Sequence, residues 1–329
     1  MNLKRLLSLA LFCASFSVFA ADKITIMVSG IDKLIYLPAK LAEQLGYLKD
    51  TGLEIELLSE PAGSNAETEM LSGVAQGVIG FYDHTISLQA RGKLVQSVVQ
   101  FSHAPGEAIL VSQKSGNIKT VADFKGRTLG VTGLGSSTYH LTRYIASKAG
   151  LKVSEYKIVP VGAGTSFITA MGKKEIDGGM TTEPTISKLL SAGSANILVD
   201  LRTMDTTEAA LGGPYPGACL YMPTAWVNKH RNEVRQIATA FVKALQYIKT
   251  HSAEEIAEKM PRDFYGQDKQ LYVKAIEDSK QMFTPDGVMP EKGPSTVLKV
   301  LSGSDKSLHG RSINLANTYT NRFVTAETQ

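Results

Sequence analysis

The chain has 329 residues, with 35 Lys and Arg against 31 Asp and Glu, a formal net charge of +4, and two cysteines. That excess charge is too small to argue for nucleic acid or a membrane surface as partner. The length suits two domains at the usual ~100–200 residues each.

The first twenty residues read as a secretory signal spanning 1–20. Lys4 and Arg5 form a basic start, Leu6 to Phe19 is an uncharged apolar run, and Val18-Phe19-Ala20 before Ala21 is a cleavage site with small residues at the right positions. The run is shorter than the ~20 residues needed to span a bilayer. Phe12 is too large for a lipobox before Cys13, which leaves with the signal. Cys219 then remains alone, so an exported, periplasmic chain without an internal disulfide must rely on its apolar core.

From Ile24, strand and helix alternate. Ile24 to Val28 is a β-rich run ending at Ser29-Gly30. A helix follows from Pro38, with Leu37, Leu41 and Leu45 on one face. Leu53, Ile55 and Leu57 alternate as a strand. Ser64-Asn65-Ala66-Glu67 reads as a capping box opening the next helix. Gly77 to Tyr82 is a buried strand, Asp83 caps a third helix, and Leu94 to Phe101 is another strand. A second unit repeats the plan, with strands at Ala108–Val111, Arg127–Val131, Lys157–Val161, Ile176–Met180 and Ile197–Val199. Arg202 to Gly217, with two Pro and three Gly, reads as a connection without period, and Cys219 to Val227 as a strand. The remainder is helical, including a tail helix from Ser307. Such alternation implies parallel sheets covered on both faces.

Within the second unit, Gly133 and Gly135 allow a tight turn, and Ser136, Ser137 and Thr138 sit where a helix must begin. The first N–H groups of a helix lack internal partners and its dipole favours negative charge there, so this turn can hold an anion without any catalytic group. An ordinary capped βα turn has the same pattern. Gly106–Val111 and Ala218–Val227 are the natural crossings between the units. Ligands of open α/β sheets bind beyond the carboxyl ends of strands, and two such edges facing one another form one cleft.

Three stretches carry a family resemblance: Tyr36-Leu37-Pro38-Ala39-Lys40-Leu41-Ala42-Glu43-Gln44-Leu45-Gly46 running on to Leu57, Val121-Ala122-Asp123-Phe124-Lys125-Gly126-Arg127 running on to Val131, and Met171 to Met180 followed by Thr182-Glu183-Pro184. In this order they resemble solute-binding proteins of the nitrate/sulfonate/taurine and thiamine-pyrimidine group. The resemblance implies an α/β, two-lobed periplasmic binding fold of type II, each lobe a mainly parallel sheet flanked by helices. Lobe 1 would be discontinuous, 21–106 plus 218–329, with lobe 2 at 107–217 and a hinge near Pro105–Leu110 and Pro214–Leu220. It implies a receptor that closes on a small molecule and delivers it to the permease and ATPase of an ABC importer in the inner membrane; the signal and the two βα units give the further expectation of a monomer, with no cofactor or metal expected.

The expected site collects strand ends and helix starts. The first unit supplies Ser29, Gly30, Ile31 and Tyr36, then Gly63, Ser64 and Asn65, then Asp83 and His84. The second supplies Gly135, Ser136, Ser137 and Thr138, then Gly164 and Thr165, then Glu183. Lys33 is the basic residue nearest to these loops in sequence, so the expectation is a small organic anion, a sulfonate or carboxylate, held by neutral donors and released without breaking a buried ion pair. No nucleophile elbow, zinc-binding helix motif or Walker loop is present, and Thr138 stands where a dinucleotide fingerprint would need its third Gly. The expectation is therefore no enzyme and no catalytic residue. A sensor input domain, a receptor for a secondary carrier, and a thiamine-pyrimidine binder or enzyme on the same fold are the alternatives.

Overall fold

Residues 23–325 are those described by the computed structural model; the expected signal sequence lies outside them. The first four strands, β1 (Ile24–Val28), β2 (Ile55–Ser59), β3 (Gly77–Phe81) and β4 (Val95–Gln100), alternate with α1 (Leu37–Gln44), α2 (Gly63–Leu71) and α3 (Asp83–Ala90). Then come β5 (Glu107–Ser112), β6 (Thr128–Val131), α4 (Ser137–Lys148), β7 (Lys157–Pro160), α5 (Thr165–Gly172), β8 (Gly178–Thr182), α6 (Thr185–Ser191), β9 (Ala195–Leu201) and α7 (Met204–Leu211). After β10 (Ala218–Pro223) the chain is helical: α8 (Thr224–Lys229), α9 (Arg231–Thr250), α10 (Ala253–Lys259), α11 (Arg262–Tyr265), α12 (Lys269–Ser279) and α13 (Gly293–Ser302).

These strands form two sheets of equivalent design, β2-β1-β3-β10-β4 and β7-β6-β8-β5-β9. In each, four strands run one way, and the strand that has just crossed from the other sheet, β10 or β5, runs antiparallel between two of them. The two crossings lie side by side. The Gln100 side-chain amide donates to the carbonyls of Ser102 at 2.8 Å and Ala218 at 2.9 Å, and the Ala218 N–H donates to Ser102 Oγ at 2.9 Å. One buried amide thus ties the outgoing and returning strands together.

The inner strands β1 and β3 are apolar almost throughout, as expected of strands covered on both faces. In β1, Ile24, Ile26, Met27 and Val28 are buried. Pro38 lies in the first turn of α1, where no N–H is needed. The long α9 buries Val234, Ile237, Phe241, Leu245 and Ile248 at helical spacing and packs on α1 and β4, with Phe241 5.2 Å from Phe101 between ring centroids. α13 touches both α3 and α4, so the C-terminal part contacts elements that follow strands of either sheet.

Three stretches differ from expectation. Arg202–Gly217 contains α7, capped by Thr203, whose hydroxyl accepts from the Thr206 N–H. Only Thr207 and Leu211 of this helix are buried, too few to leave an apolar period in the sequence. The strand expected over Cys219–Val227 stops at Pro223 and gives way to α8. No long tail helix forms: Lys306–Leu308 and Leu315–Asn317 are single 3-10 turns, each started by its own Asp305 or Asn314 side chain, and Tyr319 pairs with β4 through Ser97.

The second sheet is closely packed at β8. A Cβ on Gly179 would lie 2.2 Å from the Gly130 carbonyl oxygen of β6, and one on Gly178 would lie 2.4 Å from that of Leu110 in β5. Backbone cannot yield as a flexible side chain does. Gly179→Ala should therefore destabilise the fold by about 1–3 kcal/mol or more. Gly172→Ala, at a helical position with open space around it, should change stability by under about 1 kcal/mol and in the stabilising direction. Urea unfolding of the two variants checks the contrast.

Candidate functional site

The carboxyl ends of β1 and β3 face those of β6 and β8 across a seam. The Leu34 N–H donates to the Glu183 carbonyl at 2.9 Å, and a Cβ on Gly133 would meet Ala62 at 2.8 Å. Between these contacts lies a cavity of ≈ 10 Å³, about enough for one water.

Lys33 enters this cavity from the first sheet. Its buried ammonium donates to the carbonyls of Ser29 at 2.7 Å and Pro61 at 2.9 Å. An ammonium has three protons, so one N–H is left for the cavity. Burial lowers the Lys33 pKa from 10.5 to about 8, against the fields of Asp32 and Glu107. Gly30 makes room for the stem: its φ is 101°, and a Cβ there would lie 2.5 Å from Lys33 Cε. The opposite wall is Glu107, the first residue of β5. Its Oε1 accepts from Ser137 Oγ at 2.7 Å, while its Oε2 is buried without a partner. Burial raises the Glu107 pKa from 4.5 to about 8. Thr182 adds a second unpartnered buried oxygen. Tyr36 and Phe81 supply aromatic wall.

His84 closes one end. Its Nδ1 lies 2.8 Å from Glu67 Oε2, and Glu67 Oε1 accepts from Arg91 at 2.7 Å. The ring stacks on Tyr221, with centroids 6.1 Å apart. Burial pulls the His84 pKa down, but the Glu67 bond and the nearby Asp83 charge outweigh it, and the net shift is upward. Gly63 admits the ring, because a Cβ there would lie 2.5 Å from His84 Nε2.

The profile of the NMT1/THI5-like family matches residues 36–255. The chain belongs to that family. A solved protein from Bordetella bronchiseptica RB50 shares the structure with a TM-score of 0.88 at 36% identity, over 92% of this chain and 95% of that one. The alkanesulfonate-binding protein SsuA from Xanthomonas axonopodis pv. citri, solved bound to MOPS, gives 0.68 at 18% identity over 92% and 94%. The nitrate-binding protein NrtA from Synechocystis PCC 6803 gives 0.72 at 11% identity over 92% and 87%. The fold is thus that of periplasmic binding proteins of ABC importers. In Saccharomyces cerevisiae, 4-amino-5-hydroxymethyl-2-methylpyrimidine phosphate synthase THI13 is 29% identical over 167 residues, 50% of this chain and 47% of that one. The chain therefore spans about half the length of the synthases it matches. Among the described residues no helix is long and apolar enough to cross a membrane.

In this NMT1/THI5-like protein the expected residues divide into three groups. Tyr36, Gly63, His84, Ser136 and Ser137 line the cavity, and Ser29 and Gly30 hold Lys33. Thr138 stands just behind, bonded to Ser136 Oγ at 2.8 Å and Thr132 Oγ1 at 2.9 Å. Ser64 and Gly135 line an adjoining groove. The rest have other work. Asn65 and Thr165 are exposed, the Gly164 N–H donates to Thr185, and the Ile31 N–H donates to Ser59. The Glu183 carboxylate accepts from the Ser187 N–H and from Arg202, so only its carbonyl reaches across the seam. The expected capping box does not form: α2 starts at Gly63 after Ala62, and Glu67 turns to His84 instead. Asp83 is not a cap either. It lies inside α3, with both carboxylate oxygens buried and unpartnered, and burial raises its pKa.

The expected anion cradle is also altered. Ser136 Oγ donates to the Gly133 carbonyl at 2.6 Å and Ser137 Oγ donates to Glu107, so the hydroxyls at the start of α4 have protein partners. Sequence reasoning missed Lys33 and Glu107. Lys33 figures there only as the basic residue nearest these loops, and Glu107 only within the Gly106–Val111 crossing; the signal available is an acidic residue directly before the apolar Ala108–Val111 run.

Glu107 makes stability depend on pH. The unfolded chain releases this proton near 4.5 and the fold near 8, so the folded state binds more protons between those values. Its contribution is complete below about pH 4.5 and is lost as pH rises towards 8. Lys33 acts with the opposite sign, but only between about 8 and 10.5. Glu107→Gln keeps an acceptor for Ser137 and removes the titration. Relative to wild type it should gain stability from about pH 5 to about pH 8, by at most about 1.4 kcal/mol per pH unit. Urea unfolding across that range checks the slope.

Proposed function

We propose that this chain is the solute-binding receptor of an ABC importer, and that its two lobes, 21–106 with 218–329 and 107–217, close on a small nitrogen heterocycle of the aminopyrimidine class. The lobes would rotate about the paired crossings near Pro105–Leu110 and Pro214–Leu220, where Gln100 ties the strands. The carrying observation is the pair of unused groups in one cavity: the third N–H of Lys33 and the Oε2 of Glu107. A ring nitrogen beside an exocyclic amine presents an acceptor next to a donor and satisfies both. Tyr36, Phe81 and the His84 ring suit a flat partner. The name of the yeast relative, which carries an aminopyrimidine, agrees with this reading.

A compact anion such as nitrate or an alkanesulfonate would sit against the Glu107 carboxyl, whose charged form repels it. That weighs against the anion expected from the glycine turn. Transport rather than synthesis is favoured by likeness to binding proteins over 92% of the chain, whereas the synthases match over half. A cavity of ≈ 10 Å³ admits no organic ligand, so the seam must part and re-form around the ring.

A thermal-shift screen tests the ligand class, since a ligand bound only by the folded state raises Tm by mass action. Aminopyrimidines should raise Tm, and nitrate, alkanesulfonates and simple carboxylates should not. Lys33→Met should weaken the best heterocycle about tenfold or more by calorimetry. A screen in which only anions raise Tm would refute the reading.

A further inference from the structure

Beside the inner cavity, and sharing His84 with it, a groove of ≈ 620 Å³ opens between α3, α4 and the turn at Ser304–Ser307. Its acidic oxygens are all engaged. Glu67 takes His84 and Arg91, and Asp305 takes Ser87 Oγ at 2.7 Å and the Ser307 N–H at 2.8 Å. Its donors are not. Arg143 Nε is buried without a partner, and the guanidinium otherwise makes one hydrogen bond, from Nη1 to the Tyr139 hydroxyl at 2.9 Å. The same guanidinium lies 5.3 Å from the centroid of the Tyr139 ring, which fixes its plane. Ser307 Oγ is likewise buried without a well-formed hydrogen bond, beside the Asp305 carboxylate. The Lys306 ammonium, on the same rim, has no ion pair or hydrogen bond among the described residues.

Carboxylates already saturated, with cationic donors to spare, make a surface complementary to an oxyanion. The donors come from two separate elements, α4 and the 304–307 turn, and converge on a space large enough for more than an ion. We infer that this groove is an oxyanion subsite. It receives an anionic group with three free oxygens, a phosphate monoester or a sulfonate, on the same molecule whose heterocycle enters the inner cavity past His84. Arg143 and Lys306 are the charge-bearing contacts and Ser307 supplies a neutral one. The inference rests on the heterocycle reading for the identity of the ligand's head, but not for the groove's chemistry.

Calorimetry on the intact protein at low salt separates the two. The probes are a hydroxymethyl aminopyrimidine, its phosphate monoester, the matching sulfonate, and inorganic phosphate alone. The ester or the sulfonate should bind at least tenfold tighter than the parent alcohol. Lys306→Gln, at an exposed position, and Arg143→Gln should each remove that gain while leaving the alcohol unchanged. Added salt should erode the gain as well. Whichever of ester and sulfonate shows the larger gain identifies the group. If the alcohol fails to bind but inorganic phosphate binds and depends on Arg143 and Lys306, the subsite stands and the heterocycle reading falls. If alcohol, ester and sulfonate bind alike, or if oxyanion binding survives both substitutions, the subsite is refuted.

Discussion

Lys33 sets the terms for the seam. An ammonium taken out of water costs several kcal/mol unless its protons are engaged, and here two of the three are held by the carbonyls of Ser29 and Pro61. The loops around it are shaped by that requirement. Gly30 leaves out the side chain that the lysine stem would strike, and Gly63 does the same for His84. The hydroxyls of Thr132, Ser136 and Thr138 bond to one another. The polar groups left over, on Lys33, Glu107, Asp83 and Thr182, are concentrated where the two sheets meet. Native interiors leave few buried polar atoms unpaired, so a cluster of them at the seam agrees with the proposal that a further molecule completes the set there.

The same seam defines what must move. Among the described residues, Leu34 to Glu183 is the backbone hydrogen bond that runs across it, with the contact of Ala62 and the Gly133 turn beside it and Ser304 Oγ 3.4 Å from His140 Nδ1 at its flank. By contrast, the two crossings are bound to each other by the Gln100 amide, by Phe101 to Ala218 and by Ala218 to Ser102. Parting the sheets would also break the contacts of α13 with α4 and of α12 with α6, but none of those at the crossings. That difference agrees with the hinge proposed there.

The architecture was largely legible because its signals are local. β1 and the strand runs before Gly and Ser clusters, Pro38 at the start of α1, and the apolar stripe of α9 each declare themselves within one element. α7 was hidden because it buries only two residues, and the tail because its aromatic residues at Tyr319 and Phe323 suggest a helix while Asp305 and Asn314 start separate turns. Of the site, the loops were legible and the chemistry was not. Strand ends and helix starts locate Ser29, Gly63, His84 and Ser136 by topology. Whether a given polar group points at a ligand or at the protein is decided by partners far away in sequence. Ser137 is consumed by Glu107 and Glu183 by Arg202, while Glu67 leaves its expected cap for His84. No spacing rule records those choices.

The proposed receptor role raises the question why both an acid and a base are buried in one site. Burial drives Lys33 down and Glu107 up until both stand at about 8. Burial thus disfavours the charged form of each group. A fully charged pair fixed in place would penalise the emptied site. On the proposed reading, groups whose charge burial weakens leave less charge to separate when the seam opens. Arg202, held charged by Asp200 and Glu183 directly after β9, shows the alternative design: a fixed ion-pair network within the second unit.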